Sequence, residues 1–328
     1  MSWKTGPMAP VISGVLAGLL TSAALYFTVL YPVSGTPLIL ILPVPILWCG
    51  FVAGINGVLI ALIVLIGSMA TFFTVEEVIY FFVGMSLPIA ILVGSHDTNL
   101  WGERAANDPM ALRQISGKKL GYCLCFLMIL MASMLVILDL TLAAMGLDTL
   151  SATLSREVDA TGLTPLEVQQ TQQGLSLLKV MPAVIVITVL SWVLVNARLV
   201  AWFARRRKVT DVGFKFGAVA VPVWYSGLVA LAVVVASQTT GTIGFMSLNA
   251  AIILALPGLL AGLGLVHEIT SQLRYTWLFR ILFYALIGVT VQVGSLAVVI
   301  LVGLLDTPLG LRAWINAKLG AKLEVKNA

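Results

Sequence analysis

The chain has 328 residues, of which 60% are hydrophobic and 10% are charged. A typical soluble domain is about 45 to 50% apolar and about 25% charged, so this chain has too few polar side chains to cover a water-exposed surface. Disorder is excluded too, because disordered chains are poor in hydrophobic residues and rich in charge. The composition predicts an all-α, polytopic transmembrane helical bundle with the lipid bilayer as its main partner.

Nine stretches are long and apolar enough to approach the roughly 20 residues that a helix needs to cross a bilayer. The predicted spans are 11–31, 38–53, 55–73, 78–94, 120–140, 179–203, 219–236, 248–266 and 278–305. The second is short and contains Pro43 and Pro45, so either a kinked or a re-entrant segment fits it. About 8 to 9 membrane segments are therefore expected, the first being a retained helix because its apolar run exceeds that of a signal peptide.

The net charge of +5 is interpreted through topology rather than through nucleic-acid binding, which is not expected. Most cations lie at Lys4, in the loop after the fourth span, around the end of the sixth span, and at Arg274 and Arg280. If all nine segments cross, these share one side, which should be cytoplasmic. The tail cations from Arg312 onward would then lie outside, so either the rule is broken once or one later segment does not cross.

Two regions outside the spans have helical signals. Thr164 and Glu167 form a capping box with Pro165 between them, which predicts a helix of about 40 residues running into the sixth span. Residues 147–158 have apolar side chains at helical spacing, so 147–178 is read as an extracytoplasmic helical insertion. The C-terminal tail, 306–328, shows a similar amphipathic pattern. No linker divides the chain, so 1–328 is predicted to be a single integral membrane domain.

Few polar side chains occur inside the predicted spans, and these are the first candidates for function. The weak ligand-binding candidates are Asp139, Asn196 and Gln292. Asp139 lies near the outer end of its span, where an interfacial carboxylate or an ion or substrate contact would both fit. For the two amides, hydrogen bonds to a neighbouring helix and a polar ligand pocket are the alternatives.

Catalytic and metal sites are not indicated. His267 and Glu268 are not followed by the second histidine of a His-Glu-x-x-His zinc motif, and the only other histidine is His96. The cysteines at 49, 123 and 125 lie in apolar stretches and are expected to be buried thiols. We expect no enzyme, no metal and no cofactor. The cationic run Arg205–Lys208 fits either an orientation signal or an anionic-headgroup site.

Small residues recur four apart on two of the predicted spans, which allows close approach of helices in lipid. The positions are Gly14, Ala17, Gly18 and Ser22 on the first span, and Gly258 and Gly262 on the eighth. Packing within the bundle and docking of another membrane protein remain the two interpretations.

The order of these features resembles the YybS-like family of bacterial inner-membrane proteins. The residues that carry the resemblance are Pro43, Pro45, Asn249, Gly258, Gly262, Gly264, Gly303, Asp306 and Arg312. That family is similar in turn to the substrate-binding subunits of energy-coupling-factor transporters and to the rod-shape protein MreD. The resemblance implies a bacterial inner-membrane location and, by analogy with those transporters, a docking role for the small-residue face of the first helix. It supplies no ligand residues.

Two classes of function follow. The first is a small-molecule binding or transport subunit, with a cavity lined by groups such as Asp139, Asn196 and Gln292. The alternative is a structural or assembly protein of the bacterial cell envelope that works through membrane protein partners.

Overall fold

In a computed structural model, residues 8–96, 109–145, 152, 165–207, 219–271, 275–290, 294–315 and 317 are described. This part of the chain is helical and contains no strand. The helices are α1 (Ala9–Leu30), α2 (Pro32–Ile41), α3 (Val44–Met69), α4 (Val75–Phe81), α5 (Leu87–His96), α6 (Pro109–Ala144), α7 (Pro165–Arg206), α8 (Val223–Gln238), α9 (Gly241–Ser271), α10 (Thr276–Thr290) and α11 (Ser295–Leu309). A π-helix, Phe82–Ser86, joins α4 to α5.

Within the described residues, six helical segments are long and apolar enough to cross a bilayer, and α8, α10 and α11 are shorter apolar helices. Helices satisfy their own backbone hydrogen bonds, which is the requirement for a chain segment surrounded by hydrocarbon. The predicted all-α transmembrane bundle is therefore confirmed, and the protein is a membrane protein.

The helices form two compact units. Unit 1 contains residues 1–112 and 188–215, and unit 2 contains residues 113–187 and 216–328. Helix α7 contributes its first part to unit 2 and its second part to unit 1. It is 42 residues long and begins at Pro165, as the capping box predicts. The amphipathic pattern at 147–158 lies outside the described residues, except for Ala152.

In unit 1, α1 packs along the second half of α3, and the two run parallel. The facing pairs, taken along α1, are Gly14 with Gly57, Gly18 with Ala61, and Ser22 with Ser68. Two consecutive crossing helices would be antiparallel, so the chain must return between them. The return path consists of α2 and the first ten residues of α3.

The chain reverses direction within α3 at Gly54. This residue has φ 71° and ψ −166°, a conformation open to glycine. A Cβ atom built on Gly57 would lie 2.8 Å from Cys49 Sγ. Eight residues along a continuous helix would separate these positions by about 12 Å. The predicted boundary between the second and third spans is thus a tight turn, and Pro43 separates α2 from the return half of α3.

The ninth predicted span, 278–305, is wrong as one crossing. It contains two short helices, α10 and α11, and Gly294 between them has φ 83°. Each has 15 residues, about 22 Å, which is less than the roughly 30 Å of a hydrocarbon core.

This division removes the conflict over the C-terminal charges. Arg280 at the start of α10 donates hydrogen bonds to His267 O and Thr270 Oγ1, close to where α9 ends. Arg312, which follows α11, lies 4.0 Å from Glu268 in the same region. The chain therefore returns to the Arg280 end of unit 2 after α11, and the position of Arg312 agrees with the positive-inside pattern.

Candidate functional site

A cleft of about 450 Å³ opens in unit 2, where α8 turns into α9. Its lining includes Lys179, Thr239, Thr240, Thr242, Phe245 and Leu248. The described lining therefore combines threonines and one lysine with apolar side chains. Such a mixture of a few polar groups with apolar surface is typical of small-molecule sites.

The turn that forms the cleft is short because only Thr239 and Thr240 separate the two helices. Thr239 is extended and closes α8, its backbone N–H donating to Val235 O at 3.0 Å. Gly241 starts α9 with a positive φ of 65°. A Cβ atom on Gly244 would overlap Thr239 O, so a larger residue at 244 would force the turn open. The two glycines let α8 and α9 meet without a longer loop.

Lys179 is placed at the cleft through its backbone, by a buried side chain of α9. Asn249 is 0% exposed, and its Nδ2 donates to Lys179 O at 2.9 Å. Its Oδ1 accepts a hydrogen bond from the Ala183 N–H at 3.0 Å. A second Nδ2 hydrogen bond goes to Phe245 O, also at 2.9 Å. The amide therefore uses one donor hydrogen and its acceptor in bridging α7 to α9, and its second donor hydrogen bonds within α9.

The sequence of α7 explains why an amide fits there. Pro182 lies inside the helix and has no N–H, so the hydrogen-bond ladder is weakened at this turn. The Ala183 N–H and Lys179 O are a pair that a regular helix would join directly, four residues apart. Insertion of a side chain into this ladder is a recognised cause of helix kinks. Asn249 thus stabilises an interrupted helix beside the cleft.

A second polar cluster lies near the C-terminal end of α9. Arg312 Nε is 2.7 Å from Asp306 Oδ2, and the buried Asp306 also accepts from the Arg312 N–H. One Arg312 Nη donates to Val219 O at 3.1 Å and to Ala261 O at 3.2 Å. Glu268 completes the cluster. The guanidinium therefore joins the end of α11 to α9 and to the segment before α8.

The three predicted ligand-binding residues are not brought together by what the structure describes. Asp139 is 1% exposed on α6 in unit 2. Asn196 is buried on α7 in unit 1, and its Nδ2 donates to Trp192 O of its own helix at 2.9 Å. Gln292 lies outside the described residues. Neither Asp139 nor Asn196 is among the described lining residues of the cleft.

The small-residue positions lie in contacts between helices of the same unit. A Cβ on Gly14 would lie 2.7 Å from Gly57 O, and one on Gly18 would lie 2.6 Å from Ala61 O. Ala17 is buried and Ser22 is half-buried on the same helix. In unit 2, a Cβ on Gly258 would lie 2.8 Å from Leu304 Cγ, and one on Gly262 would overlap Val299 O.

Sequence reasoning missed the cleft, although it contained a signal. The run Thr239–Thr240–Gly241–Thr242 is the polar interruption between two apolar helices, and such turns commonly carry binding groups. Asn249 was noted only as part of a resemblance. The sequence pattern could not predict its hydrogen bonds to the helical turn around Pro182, because Asn249 and Pro182 are 67 residues apart in the sequence.

Comparison of the chain with protein-family models, with curated proteins and with solved structures gives no match.

Proposed function

We propose that this membrane protein binds a small anionic solute in the unit 2 cleft, as a binding or transport subunit. The observation that carries the proposal is the shared opening of Lys179 and the N-terminal end of α9 into one cleft. The resemblance to substrate-binding subunits of transporters is consistent with this class of function and with a bacterial inner membrane.

The electrostatics of the cleft favour an anion. Lys179 supplies a full positive charge, and the first N–H groups of α9 supply the positive end of a long helix dipole. Thr240 and Thr242 add hydroxyl groups that can donate to a carboxylate or phosphate. Among the described lining residues there is no Asp or Glu to repel such a ligand.

The location of the cleft fits uptake from outside the cytoplasm. It lies at the α8–α9 turn, whereas Arg280 and Arg312 mark the opposite end of α9. By the positive-inside rule the Arg-bearing end is cytoplasmic, so the cleft faces the other side. The volume of about 450 Å³ is within the usual range of about 300 to 1,000 Å³ for small-molecule pockets.

The test is ligand-dependent thermal stabilisation of the purified full chain in detergent. The probes are acetate, succinate, citrate and inorganic phosphate, with choline and glucose as cationic and neutral probes. A ligand at 100 times its Kd stabilises the folded state by about 2.7 kcal/mol, so a cognate anion should raise the Tm measurably.

Lys179→Gln should abolish the anion-dependent increase because it removes the charge from the cleft. Lys118→Gln is the matched control, since it removes one lysine charge from the start of the apolar part of α6. Equal responses to anions, choline and glucose would contradict the proposal. So would an anion response that survives Lys179→Gln.

A second candidate, the envelope assembly role, is favoured by α10. None of the residues of this helix is buried. Arg280 and Tyr284 attach it to the end of α9, the Tyr284 hydroxyl lying 3.4 Å from His267 Nε2. An apolar helix that packs so little against its own unit leaves surface for another membrane protein.

This candidate is tested by a photo-crosslinking residue at Leu286 on α10, with Leu231 on α8 as the control. Both side chains are exposed and apolar. Assembly through α10 predicts a protein adduct at position 286 and lipid adducts alone at 231. Lipid adducts alone at both positions would rule out this role for α10.

A further inference from the structure

The cytoplasmic end of α7, in unit 1, combines positive charge with an aromatic surface. Its exposed side carries two stripes with a spacing of four residues: Arg198, Trp202 and Arg206, and beside them Leu199, Phe203 and Arg207. The opposite side, with Val200, Ala201 and Ala204, is buried. The charged end of α7 therefore projects away from the packed core of its unit.

Trp202 and Arg206 are in direct contact. The guanidinium carbon of Arg206 lies 4.3 Å from the centroid of the Trp202 ring, which is a cation–π arrangement. Trp202 also meets Phe203 edge to face at 4.8 Å between ring centroids. Stacking holds the Arg206 side chain along the helix and leaves its in-plane N–H groups available to an acceptor.

Arg205 adds a donor that the described part of the chain leaves unused. Its Nε atom is buried, and no acceptor within hydrogen-bond distance occurs among the described residues. An unsatisfied charged donor is costly to bury, so an acceptor from outside the chain would stabilise this end of α7. Arg205 and Arg206 both lie in the last turn of α7, so their charges are concentrated at the same end of the helix.

We infer that the C-terminal end of α7 is a binding site for the phosphate group of an anionic phospholipid. Arg205 and Arg206 contact the phosphate, while Arg207 adds charge. Trp202, Phe203 and Leu199 lie against the upper part of the acyl chains. The site shares no residue with the described lining of the proposed solute cleft.

The chemistry of the side chains selects this ligand. The planar guanidinium fork matches two phosphate oxygens, and charge-assisted hydrogen bonds of this type are short and strong. Arginines just cytoplasmic of a membrane helix attract anionic lipids by about fivefold in affinity per cation. The apolar side chains favour a lipid over free phosphate, since Trp202 is 39% exposed and lies in the charged stripe. Tryptophan at this depth is typical of the membrane interface.

The experiment is native mass spectrometry of the full chain in detergent, titrated with phosphatidylglycerol, with phosphatidylcholine and with inorganic phosphate. We expect phosphatidylglycerol to be retained in preference to phosphatidylcholine. The R205Q/R206Q variant should weaken phosphatidylglycerol binding by about 25-fold, the product of two cations. R206K keeps the charge but loses the guanidinium fork. Its phosphatidylglycerol binding should therefore fall between that of the unchanged protein and that of R205Q/R206Q.

The matched control is K118Q/K119Q, which removes the same number of charges from the start of the apolar part of α6. Lysines lack the guanidinium fork, so this variant should weaken phosphatidylglycerol binding less than R205Q/R206Q does. W202A tests the aromatic support without altering charge and should weaken binding severalfold. The inference is overturned by equal retention of the two lipids, by equal losses in both double variants, or by phosphate binding at α7 without lipid binding. If the lipid-binding inference fails, the expected anion response of the unit 2 cleft is unaffected, since that response depends on Lys179.

Discussion

Two contacts between helices both depend on glycines but differ in the polar groups of their units. One is the α1–α3 contact in unit 1, and the other is the α9–α11 contact in unit 2. Gly14 and Gly18 bring one pair of helices together, and Gly258, Gly262 and Gly303 bring the other. In unit 1 the hydroxyls return to their own helix, Thr21 donating to Ala17 O and Ser22 to Gly18 O. In unit 2, Asn249 and Arg312 bond to the backbone of other segments.

This difference separates two ways of holding helices in lipid. Glycine contacts depend on van der Waals packing and require only that no Cβ intervene. Side chains that bond a second helix also fix irregular backbone, and irregular backbone at membrane depth must be satisfied by such partners. Unit 2 can therefore keep an interrupted α7 beside a cleft, whereas the α1–α3 contact is regular. The following substitutions test that contrast in order of expected effect.

The largest effect is expected for Gly303→Leu. A Cβ on Gly303 would overlap Gly258 O and crowd Gly262 N, so both contacting groups are backbone atoms that cannot rotate away. Separation of α9 from α11 should cost about 3 kcal/mol or more. Thermal unfolding in detergent measures the loss. Gly227→Leu on α8 is the control, because nothing lies within 4 Å of its Cβ position. Equal losses in the two variants would contradict the packing explanation, because leucine has a higher helix propensity than glycine.

Arg312→Met should destabilise the protein by about 2 kcal/mol. The substitution leaves the Asp306 carboxylate, which is 5% exposed, without its cation. Because Arg312 is partly exposed, water screens the pair and the loss is smaller than for a fully buried pair. The double variant Asp306→Leu/Arg312→Met should recover part of that loss, because no charge is then left unpaired. A double-mutant cycle of unfolding free energies gives the coupling. Additive losses would show that the pair is not coupled.

Asn249→Leu should cost about 1 to 2 kcal/mol, since hydrogen bonds between membrane helices average about 0.6 kcal/mol each, and two such bonds are lost together with one bond within α9. Asn196→Leu is the matched control, because the Asn196 amide donates to Trp192 O of its own helix. Asn249→Leu should also weaken anion binding at Lys179, whose backbone it no longer holds. Unfolding and ligand titration measure the two effects, and an unchanged anion response would separate Asn249 from the cleft.

Ser22→Ala should have the smallest effect, about 0.5 kcal/mol. Ser22 and Ser68 hydrogen bond to each other across the α1–α3 contact, but each hydroxyl also has a carbonyl acceptor on its own helix. The same unfolding assay applies. A loss as large as that of Asn249→Leu would show that unit 1 depends on interhelical hydrogen bonds after all.

The sequence predicted most helices because hydrophobic length and lipid thickness are both local quantities. It also placed the start of α7 at Pro165 through its capping signal. It failed at 278–305, where hydropathy does not change across the turn that Gly294 makes. Hydropathy averages over a window, so a turn between two apolar helices leaves little trace in it.

The candidate site was less predictable than the fold. Asp139, Asn196 and Gln292 were selected because polar groups inside spans are rare, yet the cleft is formed at a turn between spans. The bond from Asn249 to Lys179 depends on the rotation of two helices about their axes. That rotation is set by packing, which a single sequence does not display.

By itself, the sequence determined that the chain is a helical membrane protein, and it predicted that most of its cations share one side. Both follow from the cost of placing polar groups in hydrocarbon, which depends on each residue alone. Only the tertiary structure decided that Gly54 and Gly294 reverse the chain, that Arg312 returns to the Arg280 end, and that Asn249 places Lys179 at a cleft. These features depend on contacts between residues distant in sequence, where the geometry of a few close approaches selects one arrangement.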